Sequence, residues 1–225
     1  MRYLPFDPIL RLLPATRYLE VRMSPVIRDV QRGDLDAVLA LNNAASPGIL
    51  PLDAADMERF FATADYFRVA ESGQRIVGFL IALREGHDYA STNYRWFSEH
   101  ETSFVYIDRI VLAPDQRGFG LGRVFYCDVE SFAEVRVPRL TCEVFLEPPN
   151  DAAVLFHGTF GFNEVGQQRV QPGDIRVSLL AKDMPSFGYV RERYLARGGL
   201  PDLPWLHGRR LPAAPDVADA AGAGS

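Results

Sequence analysis

The segment Arg117-Gly118-Phe119-Gly120-Leu121-Gly122-Arg123 lies between an apolar, strand-like run and a segment with helical periodicity. Glycines let the backbone turn tightly and approach a ligand without a Cβ in the way. The amides at the start of the following helix would point outward, where the helix dipole favours an anion. Arg117 and Arg123 add positive charge at the same place. The segment therefore predicts a cradle for a pyrophosphate group.

Two familiar nucleotide motifs do not fit this segment. The P-loop requires a lysine and a hydroxyl residue after its last glycine, and the segment has neither. The dinucleotide fingerprint requires a third glycine where Arg123 stands. A plain glycine-rich turn between a strand and a helix is the alternative to a phosphate cradle.

The residues on either side of the glycines predict the two elements that the loop joins. Residues 104–112 are apolar enough for a buried strand, and strict alternation would place Asp108 on one face with Ile110 and Leu112. The following helix should run to about Arg136. Its apolar stripe at helical spacing is Leu121, Phe125, Val129 and Phe132.

Strand and helix signals alternate over the rest of the chain. Helices should begin at Asp34 and Asp53, which are good N-cap residues. Residues 84–101 have no clear pattern and are expected to be a long structureless binding loop. Strands are expected at 26–28, 66–70, 75–83, 139–146, 162–169 and 175–181, the last two joined by a turn at 171–174, and a further helix at 150–159.

Composition and charge exclude several classes of protein. With 24 basic and 29 acidic residues and a net charge of −5, the chain lacks the basic stripe of a nucleic-acid-binding protein. No apolar run reaches the about 18 residues of a membrane span. Cys127 and Cys142 have no metal-type spacing and are expected in the core, and the four histidines show no paired spacing. We therefore expect a soluble, cytoplasmic protein with no metal site.

The chain is expected to divide into four parts. Residues 1–22 are an irregular extension, with Met1 or Met23 as the real start, and residues 23–183 form one globular body. Residues 184–210 carry several aromatic side chains and should pack either on the body or on a second subunit in a homodimer. Residues 211–225, rich in alanine, proline and glycine, are expected to be disordered.

Three motifs in register resemble the GCN5-related N-acetyltransferase (GNAT) superfamily. Residues 117–122 match its R-x-x-G-x-G/A loop, and Ile110-Val111-Leu112-Ala113-Pro114 resembles its fourth strand. Asn150-Asp151-Ala152-Ala153 followed by Phe160-Gly161-Phe162 resembles its N-x-x-A … G-F signature. Order and spacing agree over residues 26–182.

The resemblance implies an α/β fold of the GNAT type. That is a mixed, largely antiparallel sheet of about seven strands, flanked by helices on both faces and split between its fourth and fifth strands. It also implies that acetyl-CoA binds as cosubstrate, its pyrophosphate on the loop and its pantetheine arm along the fourth strand. The residues that would contact it are Ile110, Val111, Leu112, Arg117, Gly118, Phe119, Gly120, Leu121, Gly122, Arg123 and Asn150. For Asn150, capping of the last helix is the alternative.

The resemblance further implies catalytic roles. Asp108 would be the general base, with an ion pair to Arg109 or another arginine as the alternative and with Glu101 and Glu143 as runner-up bases. The Val111 amide would polarise the thioester carbonyl. His157 stands where the family usually has a tyrosine, and a histidine with a pKa near about 6.5 can donate a proton to a thiolate. A structural role is the alternative for His157.

The implied activity is transfer of acetyl from acetyl-CoA to an amine by direct attack. A small-molecule acceptor is favoured over a protein. Residues 35–61 and 84–101 would shape its site, with Tyr89, Tyr94 and Trp96 either binding the amine or forming a packed lid. A non-catalytic acyl-CoA sensor that controls a partner, and an acyltransferase for a longer acyl chain or an alcohol, are the alternatives.

Overall fold

The computed structural model describes residues 24–171 and 174–203. The expected N-terminal extension, the disordered tail, and Pro172 and Gly173 of the predicted turn lie outside them, as do residues 204–210 of the C-terminal segment. The described strands are β1 (Val26–Asp29), β2 (Tyr66–Ser72), β3 (Arg75–Arg84), β4 (Val105–Leu112), β5 (Arg139–Glu147), β6 (Asn163–Val170) and β7 (Ile175–Asp183). The described α-helices are α1 (Leu35–Ala44), α2 (Ala54–Thr63), α3 (Thr92–His100), α4 (Leu121–Glu134), α5 (Asp151–Thr159) and α6 (Phe187–Arg193).

The strands form one sheet in the order β1-β2-β3-β4-β5-β7-β6. Neighbouring strands are antiparallel except β4 and β5, which are parallel. These two pair only at Val105 with Leu140 and at Tyr106 with Thr141. The rest of each strand diverges from the other, so the centre of the sheet opens into a gap. The predicted mixed, largely antiparallel α/β sheet is confirmed.

Two helix starts follow directly from their capping residues. The Asp53 side chain accepts a hydrogen bond from the Asp56 amide at 2.7 Å, and Asp56 bonds back to the Asp53 amide, which makes a capping box. Asn150 caps α5 by accepting from the Ala153 amide at 3.1 Å. Both are the arrangements that local sequence chemistry predicts.

A bulge in β4 overturns the strict alternation expected there. Ile81 of β3 pairs with Arg109 and the next residue, Ala82, pairs with Ile107, so Asp108 is an extra residue on β4. As a result Tyr106 and Val111 lie in one layer of the core, while Ile107, Ile110 and Leu112 lie in the other. Asp108 therefore does not continue the face that carries Ile110 and Leu112.

The expectation of a structureless loop at 84–101 is wrong, because the segment contains α3. The Ser91 hydroxyl caps this helix by accepting from the Tyr94 amide at 3.3 Å. Tyr94 and Phe97, three residues apart, are buried beneath it. An apolar face made of aromatic rather than aliphatic residues is what hid the helical pattern.

Helices cover both faces of the sheet. One core layer holds the buried faces of α4 and α5, and Met184 and Phe187 of the C-terminal segment also pack into it. The other holds α1, α2 and α3. Cys142 is buried as expected, whereas Cys127 is exposed, because it lies on the outer side of α4.

Candidate active site

A cavity of about 340 Å³ lies at the gap between β4 and β5. Its middle is built from β4 and β5, including Asp108 and Glu143. Tyr126 of α4 and His157 of α5 line one side, the α4–α5 side. The α1–α2 loop and the segment that leads into α3 line the other, the α1–α3 side. The cavity therefore connects the two faces of the sheet.

The glycine loop has the geometry of an anion cradle. Gly118 and Gly120 have φ angles of 81° and 87°, a region that favours glycine, and a Cβ at either position would meet nothing within 4 Å. Gly120 is the N-cap of α4, so the next amides have no acceptor within the helix. Phe119 is 70% exposed at the tip of the loop. This backbone is compatible with the predicted phosphate cradle, which stays a prediction.

The two arginines of the loop partly contact the protein itself. Arg117 Nε donates to the Leu112 carbonyl at 3.2 Å, which ties the loop to the end of β4. The guanidinium of Arg123 lies over the Phe160 ring, 5.8 Å from its centre.

Backbone direction in β4 shows which amides face the gap. The Ala113 amide donates to the Val77 carbonyl at 2.9 Å, so by alternation the backbone of Val111 also faces β3. The amides of Ile110 and Leu112 then face the gap. The predicted role of the Val111 amide stays a prediction, and this geometry favours the Ile110 amide instead.

Asp108 is held in a buried cluster. Its side chain is 5% exposed and forms an ion pair with Arg109 Nε at 2.6 Å, the alternative that the sequence left open. The Tyr89 hydroxyl donates to its other oxygen. Burial, and next the negative charge of Asp108, raise the pKa of Tyr89, which therefore stays a protonated donor. Asp108 as the general base stays a prediction.

Glu143 is the second carboxyl group of the cavity. Burial raises its pKa to about 7, and the negative charge of Asp108 adds to this effect. A hydrogen bond of 2.7 Å from the Tyr106 hydroxyl and another from Asn93 favour the charged form and oppose the rise. Glu143 therefore titrates near neutral pH, as a general base requires.

His157 is buried, and both of its ring nitrogens are hydrogen-bonded. Nδ1 donates to the Ala153 carbonyl at 2.7 Å, so Nε2 carries no proton in the neutral ring and accepts from the Tyr126 hydroxyl. Burial lowers the pKa of His157, against the opposing effect of the Ala153 bond, so the ring is neutral at pH 7. Burial also raises the pKa of Tyr126 well above its ordinary value.

Tyr126 is the residue that sequence reasoning missed. It lies one position beyond Phe125 and off the stripe expected to be apolar, and its ring is fully buried in α4. Nothing in the local pattern indicates that it meets His157 from α5.

Three other candidates take different positions. Glu101 lies outside the cavity and pairs with Arg139 at 3.3 Å. Tyr94 packs in the core with its hydroxyl on the Arg84 carbonyl at 2.6 Å, and Trp96 stacks on His100. Tyr94 and Trp96 therefore serve packing. Of the three aromatic residues predicted to lie at the acceptor site, Tyr89, Tyr94 and Trp96, only Tyr89 lines the cavity.

The described residues contain no group of three or more histidine, cysteine, aspartate or glutamate side chains that could hold a metal ion. None of the helices within 24–171 and 174–203 is long and apolar enough to cross a membrane. A cytoplasmic location and a homodimer stay predictions.

Comparison with known proteins gives a family and a fold. The model of the acetyltransferase (GNAT) family matches residues 35–162. No functionally curated protein matches the sequence significantly.

Among solved structures, Naa20 of Chaetomium thermophilum in complex with a bisubstrate analogue has a TM-score of 0.59 at 20% identity, over 79% of this chain and 92% of that one. The ribosomal-protein-S18-alanine N-acetyltransferase of Escherichia coli has a TM-score of 0.53 at 19% identity, over 71% and 94%. An N-acetyltransferase of Staphylococcus aureus Mu50 has a TM-score of 0.56 at 18% identity, over 71% and 98%. At these identities the likeness extends to the fold alone.

Proposed function

The chain belongs to the acetyltransferase (GNAT) family, and on this basis we propose that it transfers the acetyl group of acetyl-CoA to a small amine. The observation that carries the proposal is the cavity through the gap between β4 and β5. It joins the α4–α5 side, lined by Tyr126 and His157, to Glu143, a carboxyl group with a pKa of about 7, while the glycine loop at the start of α4 lies outside its lining. A cosubstrate and an acceptor could meet there from opposite faces of the sheet.

Several residues would hold acetyl-CoA. The amides at the start of α4, with Arg117 and Arg123, suit its pyrophosphate. The backbone of Ile110 and Leu112, which β5 leaves unpaired, suits the pantetheine arm. Asn150 lines the same cavity while capping α5. Acetyl-CoA, when bound, would supply the thioester carbon that the amine attacks, and as the C–S bond breaks coenzyme A would leave as the thiolate.

Glu143 is proposed to take the proton from the acceptor ammonium. It lines the cavity, and its raised pKa of about 7 makes its carboxylate a better proton acceptor than an ordinary glutamate. Asp108 is less suited, because its oxygens already accept from Arg109 and Tyr89. Cys142 also lines the cavity, but burial raises the pKa of its thiol well above the ordinary value. This favours direct transfer over an acyl-enzyme.

The Tyr126–His157 pair is proposed to return a proton to the thiolate. Both side chains line the cavity on the α4–α5 side. Because His157 is neutral and its Nδ1 proton is directed to Ala153, the Tyr126 hydroxyl is the proton source that the geometry favours. Before transfer this hydroxyl donates to His157 Nε2, which positions it; on transfer its O–H bond breaks, the proton goes to the thiolate sulfur, and the phenolate regains a proton from solvent once CoA has left.

The size of the cavity favours a small acceptor. Its volume of about 340 Å³ is at the low end of the range for small-molecule sites, and the thioester must share it. On the α1–α3 side it ends at the segment from Tyr89 to Asn93. That segment is held by α3, which reaches across to β6 through a hydrogen bond between Gln168 and Asn93.

A non-catalytic acyl-CoA sensor is the second candidate, because both nitrogens of His157 are already hydrogen-bonded. Calorimetric titration with acetyl-CoA and with CoA, followed by a thiol-release assay over a panel of amines, separates the two. The enzyme binds both ligands and releases thiol only when an amine is present. A sensor binds without amine-dependent release, and absence of binding rejects both functions.

A further inference from the structure

Given the proposed acetyl transfer, with acetyl-CoA held at the start of α4 and its sulfur beside Tyr126 and His157, the acceptor enters the cavity from the α1–α3 side. Its ammonium group must reach Glu143, the proposed base. The charges around Glu143 therefore determine which groups the amine can carry next to its nitrogen.

Arg109 is the single guanidinium or ammonium group among the described residues that line the cavity. Its Nε donates to Asp108 at 2.6 Å, and its Nη1 donates to the Asn42 side chain at 3.0 Å and to the Leu50 carbonyl at 3.3 Å. The side chain is only 7% exposed. Its positive charge is therefore already paired with the Asp108 carboxylate, and little of the side chain is exposed to a ligand.

Glu143, unlike Asp108, has no cationic partner among the described residues. It accepts hydrogen bonds from Tyr106 and Asn93, but it forms no ion pair with any residue that the structure describes. An ammonium group placed beside it would supply the missing opposite charge. The site thus has a ready partner for a cation.

A carboxylate on the ligand would have no such partner. The Tyr89 and Tyr106 hydroxyls already donate to Asp108 and Glu143, so neither is available to it. The remaining wall on the α1–α3 side carries no cationic side chain among the described residues. Its apolar part is formed by Ile49, Phe145, Val170 and Ile175, and its polar part by the uncharged Ser91, Thr92, Asn93 and Gln171.

We propose that the acceptor is a primary amine with an apolar body and no carboxylate on the carbon that bears the nitrogen. A carboxylate at that carbon would lie within about 4 Å of the ammonium, next to Asp108 and Glu143 and away from any uncompensated cation, and like charges at such distances are strongly disfavoured. Free α-amino acids are therefore excluded as acceptors, whereas amines and amides with the same body are accepted.

Three acceptors that share the same phenylethyl group test the exclusion of α-carboxylates: 2-phenylethylamine, phenylalaninamide and phenylalanine. The rate constant kcat/KM is measured for each by thiol release and corrected for the fraction of free base. We expect 2-phenylethylamine and phenylalaninamide to agree within about tenfold and phenylalanine to be slower by about a hundredfold or more. Phenylalanine within threefold of its amide would overturn the proposal.

The variant Asp108→Asn tests the reason for the exclusion. It keeps an acceptor for the Tyr89 hydroxyl but leaves Arg109 uncompensated, so the ratio of kcat/KM for phenylalanine to that for the amide should rise about tenfold. Since both rates are taken on the same protein, a general loss of activity cancels in the ratio. An unchanged ratio in the folded variant overturns the role given to Arg109. If the variant does not fold, the comparison of the three acceptors on the native protein still tests the rule.

Further outcomes distinguish a failure of this inference from a failure of the proposed function. Acetylation of a polar polyamine with no reaction of 2-phenylethylamine would overturn the apolar body and leave acetyl transfer standing. Binding of acetyl-CoA with no reaction of any amine would overturn acetyl transfer itself. A peptide amide that begins with phenylalanine is the last acceptor tested. If it reacts more than tenfold faster than phenylalaninamide, the result supports the charge rule and identifies the amino terminus of a peptide chain, instead of a free small amine, as the acceptor.

Discussion

Replacement of Glu143 by glutamine tests the proposed base by two independent measurements. Glutamine has nearly the same size, and its amide oxygen can still accept from the Tyr106 hydroxyl, which donates to Glu143 at 2.7 Å. The variant cannot accept a proton at neutral pH. We expect kcat/KM for the amine to fall by about 10² to 10⁴, the usual contribution of a general base. In the native enzyme the same constant should rise with an inflection near pH 7, and this inflection should be absent from Glu143→Gln.

The same substitution should stabilise the fold at alkaline pH. The pKa of Glu143 is raised from 4.5 to about 7, so between these values the folded state binds more protons than the unfolded state. The free energy of unfolding therefore decreases as pH rises through this window, and the total loss corresponds to about 3 kcal/mol above pH 7. Glutamine has no such loss. Urea unfolding at pH 8 should show the variant as more stable than the native protein, with the difference narrowing towards pH 5.

Glu101→Gln is the matched control, because Glu101 lies outside the cavity in a pair with Arg139. It should leave the pH profile unchanged and alter stability by less than about 1 kcal/mol. Activity of Glu143→Gln within about twofold of the native enzyme, or lower stability than the native protein at pH 8, would refute the reasoning.

Four further substitutions probe the cradle, the proton donor and the acceptor wall. Gly120→Glu places bulk and negative charge at a φ of 87°, and calorimetry should show acetyl-CoA affinity reduced by about a hundredfold or more; unchanged affinity rejects the cradle. Tyr126→Phe removes the donor to His157 Nε2, so kcat should fall about tenfold or more with the KM for acetyl-CoA unchanged. In the same variant, NMR titration should show a higher pKa for His157. His157→Ala should likewise lower kcat, and a native kcat in either variant would show that the pair has only a structural role. Gly166→Ala would place a Cβ 2.8 Å from the Trp96 ring, shifting α3 at a cost of about 1–3 kcal/mol of stability and raising the KM for the amine; an unchanged KM would show that α3 does not shape the acceptor site.

Local chemistry explains what the sequence could predict. The caps at Asp53 and Asn150 depend on residues three positions apart, and the glycine loop is read from seven consecutive residues. The order of strands and helices follows from the same short-range patterns, and the family resemblance supplied the split of the sheet.

Features that depend on pairing between distant segments could not be predicted. The bulge at Asp108 is a matter of register with β3, and it moves Asp108 into a cluster with Arg109 and Tyr89. The pKa of Glu143 depends on burial between β4, β5 and α3, which its neighbours in the chain do not reveal. Asp108 therefore ranked above Glu143 on sequence grounds, while the geometry favours the reverse order.

The most direct test of the account is to quantify released thiol and acetylated amine in one reaction containing acetyl-CoA and a panel of amines. The account predicts one thiol for each amine acetylated, no acetyl group on the protein when amine is omitted, and loss of both products in Glu143→Gln. Saturating binding of acetyl-CoA with no thiol released by any amine above the amine-free rate would contradict it.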